Sequence, residues 1–416
     1  MRMRVTAALT DIAVNSVQSA LRYLFRQEVA RGRMTAADPE HPEVGSGLIV
    51  LAMGKMGAGE LNYSSDIDLI VFFDRTATSL AEDIEPQPFF VRVTQAMARM
   101  LQQRSGEGYV FRVDLRLRPD PASTQVAIST DAALHYYERE GRTWERAAMI
   151  KARPCAGDPR AGEALIAELA PFVWRKHLDF AALADVHDMK RQMQTYRGQS
   201  EISVEGHNVK VGRGGIREIE FFTQTRQLIA GGRDPDLRCR DTVGGLAALA
   251  DKGWIPADVA RDLTDHYRQH RDIEHRIQMV NDAQTHSVPK DGAGLALIAA
   301  LMGEADADAW SIRLRARLDH VHDLTETFFA PGEAVQRPSI SAEAQAIIDR
   351  WQTYPALRSA RAQQIFRRVE PELLCRMART GHPDEALSRF DAFLSALPAG
   401  VQIFSLFEAN PQLIDL

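Results

Sequence analysis

Gly54-Lys55-Met56-Gly57-Ala58-Gly59-Glu60-Leu61-Asn62-Tyr63-Ser64-Ser65-Asp66-Ile67-Asp68-Leu69-Ile70 is the stretch from which the fold is read. A short apolar run, Leu48 to Ala52, precedes it, and a second run, Ile67 to Phe73, ends it. Both are rich in branched residues and flank turn chemistry, as strands do. Side chains two apart on a strand share a face, so Asp66 and Asp68 project together while Ile67, Leu69 and Val71 point into a core. Two adjacent carboxylates repel each other. A hard divalent cation relieves that repulsion, and magnesium, which prefers oxygen ligands and substrate phosphates, suits the position.

Downstream, Phe90, Val93, Met97, Met100 and Leu101 have helical spacing, and Tyr109 to Leu117 alternates apolar with polar residues as a third strand should. On that strand Asp114, Arg116 and Arg118 would share a face opposite Val113, Leu115 and Leu117. A third carboxylate then joins the first two, beside two guanidinium groups whose forked donors match phosphate oxygens. Upstream, residues 5–30 read as an amphipathic helix and Arg31 to Gly47 as a loop. Beyond about residue 160 the apolar positions recur at helical spacing, with breaks at Gly231-Gly232 and Pro331-Gly332. The expected class is α+β: an N-terminal helix and linker over residues 1–45, a mixed sheet with helices over 46–158, a helical bundle over 159–331 and a helical linker region over 332–416. The chain stops at Pro411 to Leu416 with no turn or polar tail, as a longer protein cut short would.

Gly212-Arg213-Gly214-Gly215 precedes an expected helix from about Ile216 to Ile229, and glycines at such a position leave backbone N–H groups for an anion. Taken alone, an interhelix turn is the better reading. Lys210 and Arg217 flank it, and Glu218 and Glu220 are expected to tie down Arg217. Trp144 reads as a buried structural residue. Lys151 and Arg153 share a face if their segment is extended, which would suit a phosphate. His275 and His286 lack a convergent third ligand and read as surface or capping residues.

At 416 residues the chain is long enough for two or three domains. A formal charge of −6 gives no general pull toward nucleic acid. The longest nearly apolar run, Gly292 to Gly303, falls short of the roughly 20 residues that span a bilayer, so no membrane helix is expected. Asp11 interrupts the N-terminal segment, so no signal peptide is expected either. Cys155, Cys239 and Cys375 have no metal-ligand spacing, and a reducing cytoplasm is the simpler setting.

Gly54-Lys55, then ten residues, then Asp66-Ile67-Asp68 resembles the signature of the DNA polymerase β-type nucleotidyltransferases, with Gly-Lys in place of the usual Gly-Ser or Gly-Gly. Leu51 to Gly57 and Gly59 to Ile70 more closely resemble the bifunctional glutamine synthetase adenylyltransferase/adenylyl-removing enzymes. That resemblance continues through Phe111 to Pro119, Trp144-Glu145-Arg146, Lys151-Ala152-Arg153, Gly214 to Phe221, Asp282 to His286 and Pro398 to Leu413. Glu60-Leu61-Asn62 with Ser64-Ser65-Asp66-Ile67-Asp68 is similar to the N-terminal, adenylyl-removing copy of the two in that family. The resemblance implies a DNA polymerase β-like nucleotidyltransferase domain followed by a helical bundle domain. It implies Mg2+ on Asp66, Asp68 and Asp114. Phosphate or nucleotide contacts are expected at Gly54, Lys55, Ser65, Arg116, Arg118, Lys151, Arg153, Lys210, Gly214 and Arg217.

The implied reaction is phosphorolysis: inorganic phosphate attacks the adenylylated tyrosine of glutamine synthetase and releases ADP. No histidine lies between His41 and His135, the span that holds all three carboxylates, so the chemistry is expected to rest on cations and metal rather than a base. A nitrogen-regulatory signal protein is an expected further partner, whereas nucleic acid and membrane are not. Two rivals stand beside this reading: adenylylation of glutamine synthetase from ATP, and a non-catalytic regulatory nucleotide-binding module. The presence of all three acidic positions counts against the module, and the acidic balance counts against a nucleic-acid polymerase.

Overall fold

The computed structural model describes residues 2–76, 79–175, 202–327, 342–378 and 383–409. Pro331-Gly332, the terminal Pro411 to Leu416 and the last part of the Pro398 to Leu413 stretch lie outside the described residues.

Helix α1 (Arg2–Ala30) leads through the expected loop to strand β1 (Leu48–Ala52), the short helix α2 (Gly54–Gly57) and strand β2 (Asp66–Phe73). Then come α3 (Pro86–Gln102), β3 (Arg112–Asp114), β4 (Ala127–Ser129), α4 (Thr130–Arg139), α5 (Thr143–Met149), β5 (Arg153–Gly157) and α6 (Pro159–Val173). The strands form one mixed sheet in the order β3, β2, β1, β5, with β4 also paired to β2. β1 runs antiparallel to β2, Val50 facing Val71, and β5 runs antiparallel to β1. β3 and β4 run parallel to β2, which puts Asp68 opposite Asp114 and Val71 opposite Ala127. A parallel neighbour needs a crossover, and α3 supplies it between β2 and β3.

Period-two alternation divides the apolar residues of β1 and β2 between two cores. Leu48, Val50, Ile67, Leu69 and Val71 pack with Leu21 and Phe25 of α1 and Phe90 and Met97 of α3. Ile49, Leu51, Ile70 and Phe72 pack on the other face with Tyr137 of α4, Met149 of α5 and Leu165 and Leu169 of α6. β1 is therefore buried at every position, as expected of a strand covered on both sides. Each fully buried large aliphatic or aromatic side chain contributes roughly 1.5–3 kcal/mol, so these two layers hold the strands rigidly beneath the carboxylates.

The expected third strand is shorter than its alternating pattern suggested. It stops at Asp114, because that carboxylate accepts the backbone N–H of Arg116 at 2.8 Å and turns the chain away from the ladder. Arg116 and Arg118 accordingly do not continue the face of Asp114 along a strand. The short strands β4 and β5 carry too few residues for a period to register.

Helices α7 (Ile216–Ala230), α8 (Thr242–Asp251), α9 (Ala257–Asn281), α10 (Gly292–Leu301) and α11 (Ala307–Thr327) follow. Described residues up to Thr325 form one compact unit with the sheet. Its helical part has its own apolar core, with Val209, Ile273, Ile277, Trp310, Leu314 and Leu318 among its members. Described residues from Glu326 onward belong to a second unit, built of α12 (Ala342–Trp351), α13 (Ala360–Ala378), α14 (Pro383–Ala396) and α15 (Val401–Ala409). Trp351, Phe366, Leu373, Leu394 and Phe404 pack its centre, and Asp391 accepts from Trp351 Nε1 at 3.0 Å and Tyr354 Oη at 2.9 Å. No described helix is long and apolar enough to cross a membrane.

The turn after β1 sits under the tightest packing of this part of the fold. A Cβ on Gly57 would stand 2.0 Å from the carbonyl oxygen of Lys151 and 2.6 Å from that of Ala52. Gly59, two residues on, has φ +77 but no atom within 4 Å of its missing Cβ. Gly57→Ala is expected to lower the unfolding free energy by about 3 kcal/mol through forced backbone displacement, and Gly59→Ala by about 1 kcal/mol through left-handed strain alone. Urea unfolding of both variants checks this; equal losses would contradict the close approach at Gly57.

Candidate active site

Asp66 and Asp68 occupy the first and third positions of β2 and are partly exposed, alternating with fully buried Ile67 and Leu69. Asp114 ends β3 directly across from Asp68, and Arg112 lies across from Asp66. The three carboxylates have different partners. Arg112 donates from Nε to Asp66 at 2.8 Å, from Nη2 to Ser64 Oγ at 3.1 Å and from Nη1 to the Tyr109 hydroxyl. Arg116 wraps back on Asp114, donating its Nε to both carboxylate oxygens at 3.0 Å, and that hydrogen bond holds Asp114 below the usual carboxylate range. Arg116 is 82% exposed, so this pair contributes little to stability.

Among the described residues, Asp68 has no hydrogen-bonding partner for its carboxylate. Burial, followed by the charge of Asp114, pushes its carboxyl up to about 6, with Asp66 adding to the shift and Lys210 and Arg116 opposing it. Gly54 closes over this group: its φ is +51, and a Cβ there would stand 2.7 Å from Asp68 Oδ2. Only glycine fits both the angle and the space.

The donor chemistry fits magnesium. Three carboxylates on adjoining strands offer oxygen only, and the most buried of them lacks a counter-ion. The fit is one of chemistry and not of present geometry: Arg112 and Arg116 act as the internal counter-ions of Asp66 and Asp114, and among the described residues no three acidic, histidine or cysteine side chains are placed to hold a metal ion together.

The cations that the sequence suggested for phosphate divide sharply. Lys210 is half-buried, acts electrostatically on Asp68, and among the described residues forms no ion pair. Arg116 is exposed beside the carboxylates. Lys55, by contrast, is buried with Nζ 2.9 and 2.8 Å from the two oxygens of Glu274 on α9. Burial and then Arg271 lower its ammonium to about 7 against the pull of Glu274. Burial would raise Glu274, yet Lys55, His286 and Arg271 hold it well below the carboxylate range. A carboxylate held that low keeps its partner charged, so the pair is ionised. Lys151 Nζ lies 2.6 Å from Glu220, whose carboxyl burial alone would raise but which Lys151 and Lys55 bring down to about 2.

The remaining expected contacts brace the fold in this structure. Arg153 donates to the carbonyls of Gly57 and Met56 at 3.2 and 3.3 Å, holding α2. Arg118 donates to the carbonyls of Leu115 and Pro121 at 2.8 and 2.9 Å, holding the loop after β3. Ser65 Oγ donates to the Asp66 carbonyl at 3.0 Å. Gly214, at φ +70, lies so close to α11 that a Cβ would stand 1.9 Å from the Leu318 carbonyl oxygen. Arg217 is exposed and not tied down by its neighbours: Glu220 is taken by Lys151, while Glu218 faces His322 Nδ1 at 3.4 Å and Thr325 Oγ1 at 3.2 Å. Trp144 is 40% exposed rather than buried, because α5 turns Thr143, Glu145, Arg146 and Met149 inward.

Residues on one polar face of α9 were not foreseen. Arg271 Nη2 donates to the Glu60 carbonyl and to Asn62 Oδ1, both at 2.7 Å, and Tyr267 Oη donates to Glu60 Oε2 at 2.7 Å. His275 is buried rather than superficial; its Nε2 is 3.1 Å from Asn62 Oδ1 and its ring stacks on Tyr63 at 4.5 Å. Gln278 Oε1 accepts the Ser64 N–H at 3.2 Å, and His286 Nδ1 lies 2.9 Å from Glu274. Lys55, Glu60, Asn62, Tyr63 and Ser64 are therefore all held by one helix. Polar residues spaced three and four apart in Tyr267 to Gln278 were the available signal.

The raised Asp68 carboxyl has a definite sign. Its folded-state affinity for a proton exceeds the unfolded one, so ionising it costs stability above about pH 6, and that cost fades as pH falls toward the ordinary carboxylate range. Without divalent metal, Asp68→Asn is expected to stabilise the chain by roughly 1–2 kcal/mol at pH 8, with the gain shrinking by about half at pH 5. Denaturant titrations at the two pH values measure it; a loss of stability at pH 8 would contradict the electrostatics described.

Comparison with known proteins shows two family matches: glutamate-ammonia ligase adenylyltransferase over residues 1–168 and GlnD PII-uridylyltransferase over residues 184–329. A bifunctional glutamine synthetase adenylyltransferase/adenylyl-removing enzyme from Bradyrhizobium diazoefficiens is 58% identical over 442 residues, a match that covers 100% of this chain and 44% of that protein. Proteins of the same description from a second Bradyrhizobium, strain ORS 278, and from Rhodopseudomonas palustris are 57% and 55% identical, again over 100% of this chain and over 45% and 44% of their own lengths. The chain thus spans less than half the length of the curated relatives it matches. Over its entire length the chain is similar to the bifunctional glutamine synthetase adenylyltransferase/adenylyl-removing enzymes.

Proposed function

We propose that this chain removes the adenylyl group from glutamine synthetase by phosphorolysis, as the adenylyl-removing copy of its family. On this reading residues 46–158 are a DNA polymerase β-like nucleotidyltransferase domain, 159–331 a helical bundle domain and 332–416 a linker region, in a cytoplasmic protein. The names of the relatives and the Glu60-Leu61-Asn62 form of the motif support it. The observation that carries it is Lys210, an ammonium without a carboxylate partner among the described residues, acting on the carboxylate cluster.

Magnesium on Asp66, Asp68 and Asp114 would supply charge neutralisation at the adenylyl phosphate. Lys210 binds the attacking phosphate, and the exposed Arg116 is a second cation for it once Arg116 has given up Asp114 to magnesium. An oxygen of hydrogen phosphate forms the new bond to the adenylyl phosphorus, and the bond from that phosphorus to the tyrosine oxygen breaks. The tyrosine oxygen leaves with the electron pair and takes up the proton that the phosphate brought, so ADP and free tyrosine balance without a protein base. The histidines that contact the segment between β1 and β2 or its partner Glu274 fit that economy: burial, with Arg271 adding, lowers His275 to about 3, and His286 is occupied by Glu274. A nitrogen-regulatory signal protein is the proposed partner of the helical part, supported by the match of residues 184–329 to the PII-uridylyltransferase family.

The test incubates the chain with adenylylated glutamine synthetase, phosphate and magnesium and identifies the nucleotide released. ADP that requires both phosphate and magnesium is expected. AMP released without phosphate, or pyrophosphate formed from ATP, would overturn the reading. Lys210→Met is expected to raise the KM for phosphate about tenfold or more, the loss of one charge-assisted contact; an unchanged dependence of rate on phosphate concentration would remove Lys210 from the role.

A further inference from the structure

Lys55 and Glu274 form a buried ion pair that the reaction proposed above does not use. Replacing such a pair by apolar groups is often neutral or stabilising, because desolvation offsets most of the attraction. Stability alone therefore does not account for it. Its placement does. Lys55 follows Gly54 across one peptide bond, Gly54 closes on the Asp68 carboxylate without room for a Cβ, and Met53 donates its N–H to the Asp68 carbonyl at 2.9 Å. Glu274 itself is fixed from three sides, by Lys55, by Arg271 Nε at 3.2 Å and by His286 Nδ1 at 2.9 Å.

We infer that Glu274 is a positioning residue: by holding Lys55 it fixes the Gly54 peptide, and the Gly54 peptide fixes the orientation of the Asp68 carboxylate. Helix α9 thereby sets the geometry of a carboxylate on the sheet without touching the reacting atoms. A small displacement of Gly54 moves its α-carbon onto or away from Asp68 Oδ2, and small misplacements of a reacting group are costly to the chemical step rather than to binding. The inference rests on the phosphorolysis reading for its kinetic arm only.

Two variants test it: Glu274→Gln, which keeps the shape but removes the charge, and the double variant Lys55→Met with Glu274→Leu, which removes both charges together. In each, kcat for phosphate-dependent nucleotide release is expected to fall about tenfold or more while the KM for phosphate stays within about twofold. Hydrogen exchange is expected to speed up in the peptide covering residues 53–58, with the thermal midpoint little changed in the double variant. A folded double variant with wild-type kcat would overturn the inference. So would a rise in KM in place of the fall in kcat, which would return Lys55 to phosphate binding, and so would failure of both variants to fold, which would make the pair structural. If the wild-type chain releases no nucleotide, the proposed function fails, and the exchange measurement decides the tether alone: unchanged protection at residues 53–58 in Glu274→Gln would sink it.

Discussion

The burial of Asp68 against Asp114 is the constraint on which the rest of the site depends. The parallel register of β2 and β3 fixes that opposition, and the sheet cannot relieve it without breaking the ladder. Two apolar layers, one on each face of β1 and β2, give the strands the rigidity to hold a carboxylate whose ionisation the fold itself disfavours. Arg112 and Arg116 balance the outer two acids, so the unfavourable charge is concentrated on one side chain. A site that leaves one carboxylate uncompensated binds a cation more strongly than one that has already satisfied all three.

The segment between β1 and β2 is the second element of the account. It carries Gly54 over Asp68, yet almost every polar group in it is bound by α9, more than two hundred residues away in sequence: Lys55 by Glu274, Glu60 and Asn62 by Arg271, Tyr63 by His275 and Ser64 by Gln278. The helical part thus holds the segment that carries Gly54 over Asp68 through hydrogen bonds that do not pass through the sheet. This arrangement also explains why the cations near the acidic strands are so unequal. Lys55, Lys151 and Arg116 are paired with Glu274, Glu220 and Asp114, which leaves Lys210 as the cation near Asp68 without an ion pair among the described residues.

Much of the sheet was legible because periodicity is a local property. β1, β2, α1 and α3 were read from spacing, and the shared face of Asp66 and Asp68 followed from the alternation that buries Ile67 and Leu69. What escaped was decided by contacts that spacing does not record. The run Tyr109 to Leu117 alternates as a strand does, but the Asp114 carboxylate captures the next turn's N–H and ends the ladder after three residues. Nor could spacing show that Lys55, Lys151 and Arg153, expected at the phosphate, pair with Glu274, Glu220 and two backbone carbonyls brought in by the fold. His275 and His286 looked superficial for the same reason. Trp144 was misread in the other direction: its size suggested burial, whereas the short α5 spends its inner face on Glu145, Arg146 and Met149.

Asp66, Asp68 and Asp114 are proposed to hold one divalent cation together, although among the described residues they are not yet gathered round one point. Titration of Mn2+ into the chain, followed by the loss of its free electron paramagnetic resonance signal, tests this without substrate and without turnover. A bound ion is expected in the wild-type chain, with binding weakened at least about tenfold in Asp68→Asn and in Asp114→Asn, since each removes a charged oxygen ligand. Equal Mn2+ binding by the wild-type chain and Asp68→Asn, or no binding by the wild-type chain at all, would contradict it.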